Sequence, residues 1–278
     1  MLTYPQIDPI ALSLGPLKVH WYGITYLIAF SIAFLIGRSR AKRPTSLLKP
    51  EHIEDLVFYV ALGIVLGGRF GYVFFYNFGK FLDDPLWLFA VWEGGMSFHG
   101  GLIGGFIALM LYGRKLGVPT TQMADFVTPM VPLGIGCGRI GNFIGQELWG
   151  RETNVPWGMI FPADSHHLVR HPSQLYEFFL EGIVLFCIVY FYSNKPRPAP
   201  SVMGVGIFFY GIFRFSVEFF REPDAHIGID AFGWMTRGQI LSAPMIIIGL
   251  ALIIWAYKKT DQTALAEAES KKLAGSKK

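Results

Sequence analysis

The sequence predicts an all-α, polytopic membrane protein with seven transmembrane helices, its N-terminus outside and its C-terminus cytoplasmic. Three observations carry this. Of 278 residues, 52% are hydrophobic and 16% charged, and mean hydropathy is +0.41, outside the balance of a soluble globular domain. Apolar stretches close to the roughly 20 residues that span a hydrocarbon core recur along the chain. The basic residues divide unequally between two sets of short loops, which orients the spans.

The seven segments fall near 20–37, 55–76, 97–112, 122–138, 174–192, 202–220 and 238–257. Met1 to Leu17 lacks a basic leader region and a small-residue cleavage site, so the first apolar helix is expected to stay as an anchor. The third and fourth segments are short and glycine-rich, which suits interior positions. Pro44, Asp83-Asp84-Pro85, Pro119 and Lys195-Pro196-Arg197-Pro198 punctuate the connections. Fifteen Lys and Arg, including Arg38, Arg114, Lys195 and six tail lysines, lie on one side and seven on the other, with Arg69 and Arg214 inside spans. The richer side is read as cytoplasmic. Residues 1–260 form one integral-membrane catalytic domain, and 261–278 a charged cytoplasmic tail.

Composition also excludes classes. The net charge of +4 is scattered among loops and tail, which is no nucleic-acid footprint. Cys137 and Cys187 sit in apolar runs and read as small buried hydrophobes. No Cys/His cluster has metal-ligand spacing, so neither metal nor cofactor is expected.

Polar residues then mark a site. The run from Gly138 to Thr153 places Arg139, Asn142, Gln146, Glu147, Arg151 and Glu152 between glycines at the end of the fourth segment. Charges at bilayer depth are retained mainly where they face protein or water. Arg214, Glu218 and Arg221 follow at i, i+4 and i+7 on one helical face, with Tyr210 a turn earlier. Two arginines against one glutamate read as a positive surplus, and Arg139 and Arg151 are taken as matched by Glu147 and Glu152. The summed site is cationic and suits a phosphate. His99 stands among Gly94, Gly95, Gly100, Gly101, Gly104 and Gly105; Gly101 and Gly105 have helix-packing spacing. It reads either as a packed histidine or as a proton acceptor. Gln174, Tyr176 and Glu177 open the fifth segment, as capping residues or as site residues. Trp21, Tyr22, Trp87 and Trp92 read as an interfacial belt. With the assigned orientation, Tyr26, Arg69, His99, Arg139, Arg214, Glu218 and Arg221 all fall toward the outer leaflet.

Four motifs carry a family resemblance. His-Gly-Gly-Leu-Ile-Gly-Gly (99–105), Gly-Arg-Ile-Gly-Asn-Phe-Ile-Gly-Gln-Glu-Leu-Trp-Gly (138–150), His-Pro-Ser-Gln-Leu-Tyr-Glu (171–177) and Arg-Phe-Ser-Val-Glu-Phe-Phe-Arg-Glu-Pro-Asp (214–224) resemble the bacterial phosphatidylglycerol–prolipoprotein diacylglyceryl transferases. The opening His-Trp-Tyr-Gly (20–23) with Tyr26 is similar too. The resemblance covers about 15–257. It implies a multi-pass enzyme of the bacterial inner membrane whose active site faces the outer leaflet. Its partners would be membrane lipid, phosphatidylglycerol as donor, and preprolipoprotein signal peptides with a lipobox cysteine as acceptor. The thiol would receive the diacylglyceryl group, giving a thioether and glycerol phosphate. The family's residues carry over to His99, Arg139, Arg214 and Glu147 as catalytic, with Tyr26, Asn142, Gly150, Tyr210, Glu218, Arg221 and again Arg139 as lipid-binding. His99 is the expected base, Arg139 and Arg214 the phosphate binders, and Glu147 and Glu218 their orienting partners.

Other classes fit less well. An anion transporter should show repeats or broken midplane helices in both halves, and the sequence has no repeat. A membrane scaffold does not need so many ionisable residues at depth. Ser31, Ser97 and Ser216 lack the partners an intramembrane protease needs.

Overall fold

A computed structural model describes residues 2–15, 17–223, 229–231 and 233–275. Asp224, which ends the fourth motif, and the last three tail residues lie outside them. The chain falls into two units, one made of 1–33 with 127–278 and the other of 34–126.

In the first unit, β1 (Leu2–Thr3) precedes the hairpin β2 (Ile10–Leu14) and β3 (Leu17–His20). Helix α1 (Trp21–Ala41) starts there and crosses the unit boundary, with Arg38 and Arg40 in its last turn. Cations there suit the partial negative charge of exposed carbonyls.

The second unit is built on α2 (His52–Tyr76), whose first turn carries Glu54 and Asp55. A short α3 (Phe78–Asp83) and two 3-10 turns, Pro85–Phe89 and Val91–Glu93, follow. The pair is completed by α4 (Phe98–Lys115), capped by the Ser97 hydroxyl, which accepts from the Gly100 N–H at 3.2 Å. The two long helices touch backbone to backbone. A Cβ on Gly63 would lie 2.6 Å from the Gly104 carbonyl, and one on Gly71 would lie 2.9 Å from Gly100 Cα. The close stripe is therefore Gly100 and Gly104. Gly101 and Gly105, the expected pair, face Ile64 one position round the helix. Helix α5 (Thr120–Val127) leads back to the first unit.

There, α6 (Val131–Ile144) begins with Pro132 in its first turn, where a missing N–H costs nothing. Short strands β4 (Met159–Ile160) and β5 (Val169–Arg170) follow. The next membrane segment is a composite of α7 (Ser173–Glu177), a π-helical stretch Phe178–Val184, and α8 (Leu185–Tyr192). Then come α9 (Ser201–Val217), β6 (Ile229–Ala231), β7 (Met235–Thr236) and α10 (Arg237–Gly275), which continues from the last apolar segment into the tail. The pair α9 and α10 packs through Gly204, Gly211 and Gly249. Leu185, Val189, Val202 and Val205 form a buried cluster between α8 and α9.

The molecule is mostly helical and is a polytopic membrane protein. Each of the seven predicted segments lies on helix, but among the described residues four helices are long and apolar enough to cross a membrane: Trp21–Ala41, His52–Tyr76, Ser173–Tyr192 and Arg237–Thr260. Phe98–Lys115 with Thr120–Ile144 adds a fifth only as a broken pair, and Ser201–Val217 is short. Glycine and polar residues in those segments shorten the apolar runs. The fold is also not purely α. Strand β1 pairs parallel with β4, which pairs antiparallel with β5, in connecting segments where extended backbone can satisfy its own polar groups.

A buried arginine–carboxylate candidate active site

Helix α6 brings Arg139 and Asn142 into the first unit. It approaches the π-helical stretch through bare backbone: a Cβ on Gly136 would lie 3.2 Å from Gly182 Cα. A π turn widens the helix locally and recurs at functional sites. Here it carries Glu181, one turn after Glu177, and both are wholly buried.

Those two carboxylates hold the arginines. Arg139 Nε lies 3.4 Å from Glu177 Oε2, and its NH2 donates to Glu181 Oε2 at 3.2 Å. Arg214, near the end of α9, donates from NH1 to Glu177 Oε1, and the same nitrogen is 4.0 Å from Glu181 Oε1. Arg214 NH2 meets Glu218 Oε2 at 2.8 Å, and Arg221 NH1 approaches that oxygen at 3.8 Å. Glu218 is fixed from the other side by the Thr236 hydroxyl, which donates at 2.9 Å, and by Gly238 at the start of α10. Glu177 thus bridges both guanidiniums. Arg139 and Arg214 keep 18% and 12% of their side chains exposed, whereas Glu177 and Glu181 keep none.

This corrects the expected charge pattern. Glu147 is not the partner of Arg139: its Oε1 accepts from Asn142 Nδ2 at 2.8 Å. Arg151 reaches the Arg221 carbonyl from Nε at 3.0 Å. Three arginines, 139, 214 and 221, face three glutamates, 177, 181 and 218. The positive surplus read from neighbours in sequence is cancelled by the fifth segment. Glu181 was not singled out from the sequence at all. Its signal was there, as a lone acid in an apolar run, and such residues mark sites by default.

The loop after α6 is a tight frame. Gln146 and Leu148 adopt φ of 52° and 60°, a left-handed conformation that side chains rarely accept unless their surroundings impose it. Gln174 does so in part, donating to the Glu147 carbonyl at 2.8 Å, while the Ser173 hydroxyl reaches the Leu148 carbonyl at 3.0 Å. Gly150 must be glycine: its N–H donates to the His171 carbonyl at 2.8 Å, and a Cβ would lie 2.6 Å from that oxygen. Gly150 also bridges to Arg221, so its role is to join two chain segments of the site. Beside it, Arg170 Nε meets Asp164 Oδ2 at 2.5 Å. Burial alone would raise the Asp164 pKa; the hydrogen bond and charge of Arg170 and the N–H groups of His166 and Leu168 together outweigh this and hold the carboxyl below its usual range.

Tyr26 is half-exposed on α1, its hydroxyl 3.2 Å from that of Tyr22. Tyr210, on α9, packs against the α8–α9 cluster. His99 lies in the second unit, exposed in the first turn of α4 and edge-on to Phe98 at 5.6 Å. Arg69, also there, is no free cation. Its Nε donates to the Leu88 carbonyl at 2.9 Å, NH1 to Gly94 at 2.6 Å and NH2 to Trp87 at 2.6 Å. Trp87 is buried beneath it, whereas Trp92 is exposed.

Fold and cluster together define a helical membrane protein with a charge-balanced arginine site. Residues 9–255 match the family model described as prolipoprotein diacylglyceryl transferase. A protein of Teredinibacter turnerae named phosphatidylglycerol–prolipoprotein diacylglyceryl transferase is 57% identical over 268 residues, covering 93% of each chain. Like-named proteins of a Marinomonas species and of Pseudomonas aeruginosa are 56% and 53% identical, covering 93% of this chain and 96% and 97% of theirs. The chain belongs to the prolipoprotein diacylglyceryl transferase family, and it is a transferase.

Proposed function

We propose that the chain moves the diacylglyceryl group of phosphatidylglycerol onto the lipobox cysteine thiol of a preprolipoprotein signal peptide, the first step of lipoprotein maturation. The relatives' names support the two substrates. The observation that carries the chemistry is the Arg139–Arg214 pair, two largely buried guanidiniums bridged by Glu177.

The substrate sulfur attacks the glycerol carbon, a carbon–sulfur bond forms, and the carbon–oxygen bond breaks with its electron pair left on the phosphate oxygen. Negative charge therefore grows on the departing phosphate, and fixed guanidiniums in a dry site stabilise it best where charge develops. Arg139 and Arg214 take that role. Glu147 fixes the Asn142 amide, Glu218 orients Arg214 and Arg221, and Gly150 closes the loop between them. Tyr26 and Tyr210 belong to the lipid-binding surroundings. A thiol must lose its proton to attack well, and His99 is the proposed acceptor. Residues 1–260 act as one catalytic membrane domain with seven segments in the bacterial inner membrane. The N-terminus and the site face the outer leaflet, where donor lipid enters sideways and the peptide arrives from outside. The charged residues 261–278 form a cytoplasmic tail.

The test is direct. Purified protein, phosphatidylglycerol and a lipobox peptide should give a peptide whose cysteine gains the mass of one diacylglyceryl group. A peptide left unmodified by folded enzyme refutes the reading. His99→Gln should slow transfer, with partial recovery as rising pH supplies thiolate. Full activity of His99→Gln at neutral pH removes histidine from the chemistry.

A further inference from the structure

The fifth segment gives this site two wholly buried carboxylates that the transfer reaction, as described, does not use. Burying an unpaired carboxylate is prohibitive, and even a paired one is costly. Two of them against two guanidiniums need a reason. Their contacts are also unlike a locked pair. A bidentate arginine–carboxylate fork has two short parallel bonds, about 2.7–2.9 Å each. Here only the Arg214–Glu177 contact is close; the others are 3.2, 3.4 and 4.0 Å. Glu177 Oε2 and Glu181 Oε1 are buried without a hydrogen-bond partner among the described residues. The carboxylates are wholly buried, the Arg139 and Arg214 side chains are largely buried beside them, and the cluster is balanced three to three.

A phosphate that reaches Arg139 and Arg214 meets arginines that already have anions. It binds by replacing or sharing them. The same competition runs in reverse after transfer. A phosphomonoester carries nearly two charges at neutral pH, from a second pKa of about 6. It would be held hard by three uncompensated arginines, and an enzyme that binds its product as tightly as its transition state gains nothing in turnover. We propose that Glu177 and Glu181 are internal competitors for the phosphate: they hold Arg139 and Arg214 between turnovers and reclaim them from the product, so the pair sets how fast glycerol phosphate leaves. They are positioning residues that act through the two arginines, and the inference rests on the reading of those arginines as phosphate binders. The π-helical stretch, backed by Gly182 on Gly136, keeps Glu181 within reach of Arg139.

The experiment measures inhibition of transfer by added glycerol phosphate, with the full chain in phosphatidylglycerol vesicles. Glu181→Gln and Glu177→Gln keep size and hydrogen-bonding capacity but remove charge. Each should tighten product inhibition by about tenfold, the scale of one close charge pairing. Each should also lower kcat and KM together, because release is slowed and not the encounter. A merely structural role predicts the opposite, looser product binding from a disordered site. Where a Gln variant does not insert, Glu181→Asp retains the charge but withdraws it from Arg139, and should tighten inhibition by a smaller factor, about threefold, roughly half of the tenfold effect in free energy. Folded variants with unchanged or weaker product inhibition overturn the proposal. Should glycerol phosphate fail to inhibit the unaltered enzyme, or inhibit Arg139→Ala equally well, the phosphate-binding reading falls, and this inference with it. Tighter inhibition in the Gln variants, lost again in Arg139→Ala, supports both.

Discussion

Arg69 and Arg139 are both arginines in membrane segments, and they are satisfied in contrasting ways. Arg69 gives its guanidinium to the carbonyls of Leu88, Gly94 and Trp87, which ties the loop between α3 and α4 down on α2. Its partners are neutral, belong to the backbone and cannot leave without unfolding that loop. Arg139 is satisfied by carboxylates on a neighbouring segment, at distances that leave room for exchange. A cation saturated by carbonyls is a structural strut. A cation balanced by loosely held anions is ready for another anion. Burial and charge in the sequence do not distinguish them; the chemistry of the partner does.

The largest expected effect breaks the comparison on the Arg139 side. Arg139→Ala and Arg214→Ala should each lower turnover roughly a hundred- to thousandfold, or about 3–4 kcal/mol in the barrier, as for loss of one preorganised donor to a developing oxyanion. Arg139→Lys keeps the charge but loses the planar fork and should also lose most activity. Turnover at saturating phosphatidylglycerol, on variants shown to insert, decides this; near-normal rates in both alanine variants would reduce these arginines to ion pairing. Arg69→Ala should act the other way round. It removes the donor from three carbonyls, of which that of Trp87 is buried, at about 1–3 kcal/mol for a buried group left unsatisfied. Thermal unfolding should report a clear loss of stability, while the folded fraction keeps most of its rate. If instead Arg69→Ala kept its stability and lost its chemistry, the distinction between strut and site would collapse. The smallest effect belongs to Cys137→Ala and Cys187→Ala. Both thiols are free and partly buried, and both variants should transfer normally with slightly lower stability. Loss of turnover in folded Cys137→Ala would indicate a covalent enzyme intermediate and replace direct attack by the substrate thiol.

What was legible in the sequence follows from how far each interaction reaches along the chain. Helical segments and their order are local, and each predicted segment is found on helix. The Arg214–Glu218–Arg221 face is set by helical spacing, and its ion pairs are present. Partners across the fold were misjudged. Arg139 was assigned Glu147, eight positions on, because the two are neighbours in a motif; its actual partners are 38 and 42 positions away. Which carboxylate meets which guanidinium depends on Gly136 packing on Gly182, and two glycines in separate segments do not announce each other. The expected small-residue pair on α4, Gly101 and Gly105, does pack on α2 at Ile64, but the closest backbone approach is at Gly100 and Gly104 beside it; spacing finds a face, and the neighbouring helix decides which adjacent glycines come nearest. Short strands such as β1 and β4 pair across some 157 residues and leave no local periodicity to read.

Tyr4 sends its hydroxyl to the carbonyls of Phe143 and Ile144 at 2.9 and 3.2 Å, the end of the helix that carries Arg139 and Asn142. Read as a schedule, that contact joins a residue to a segment made 139 positions later. At about 5–20 residues per second, the N-terminal segment waits on the order of ten seconds or more before its partner exists. Strand β5, the outer strand of the sheet that β1 starts, emerges later still. The Tyr4 segment therefore precedes its partner by several membrane segments. The arginine site is completed only once α9 has been made, because its residues come from three separate segments of the chain.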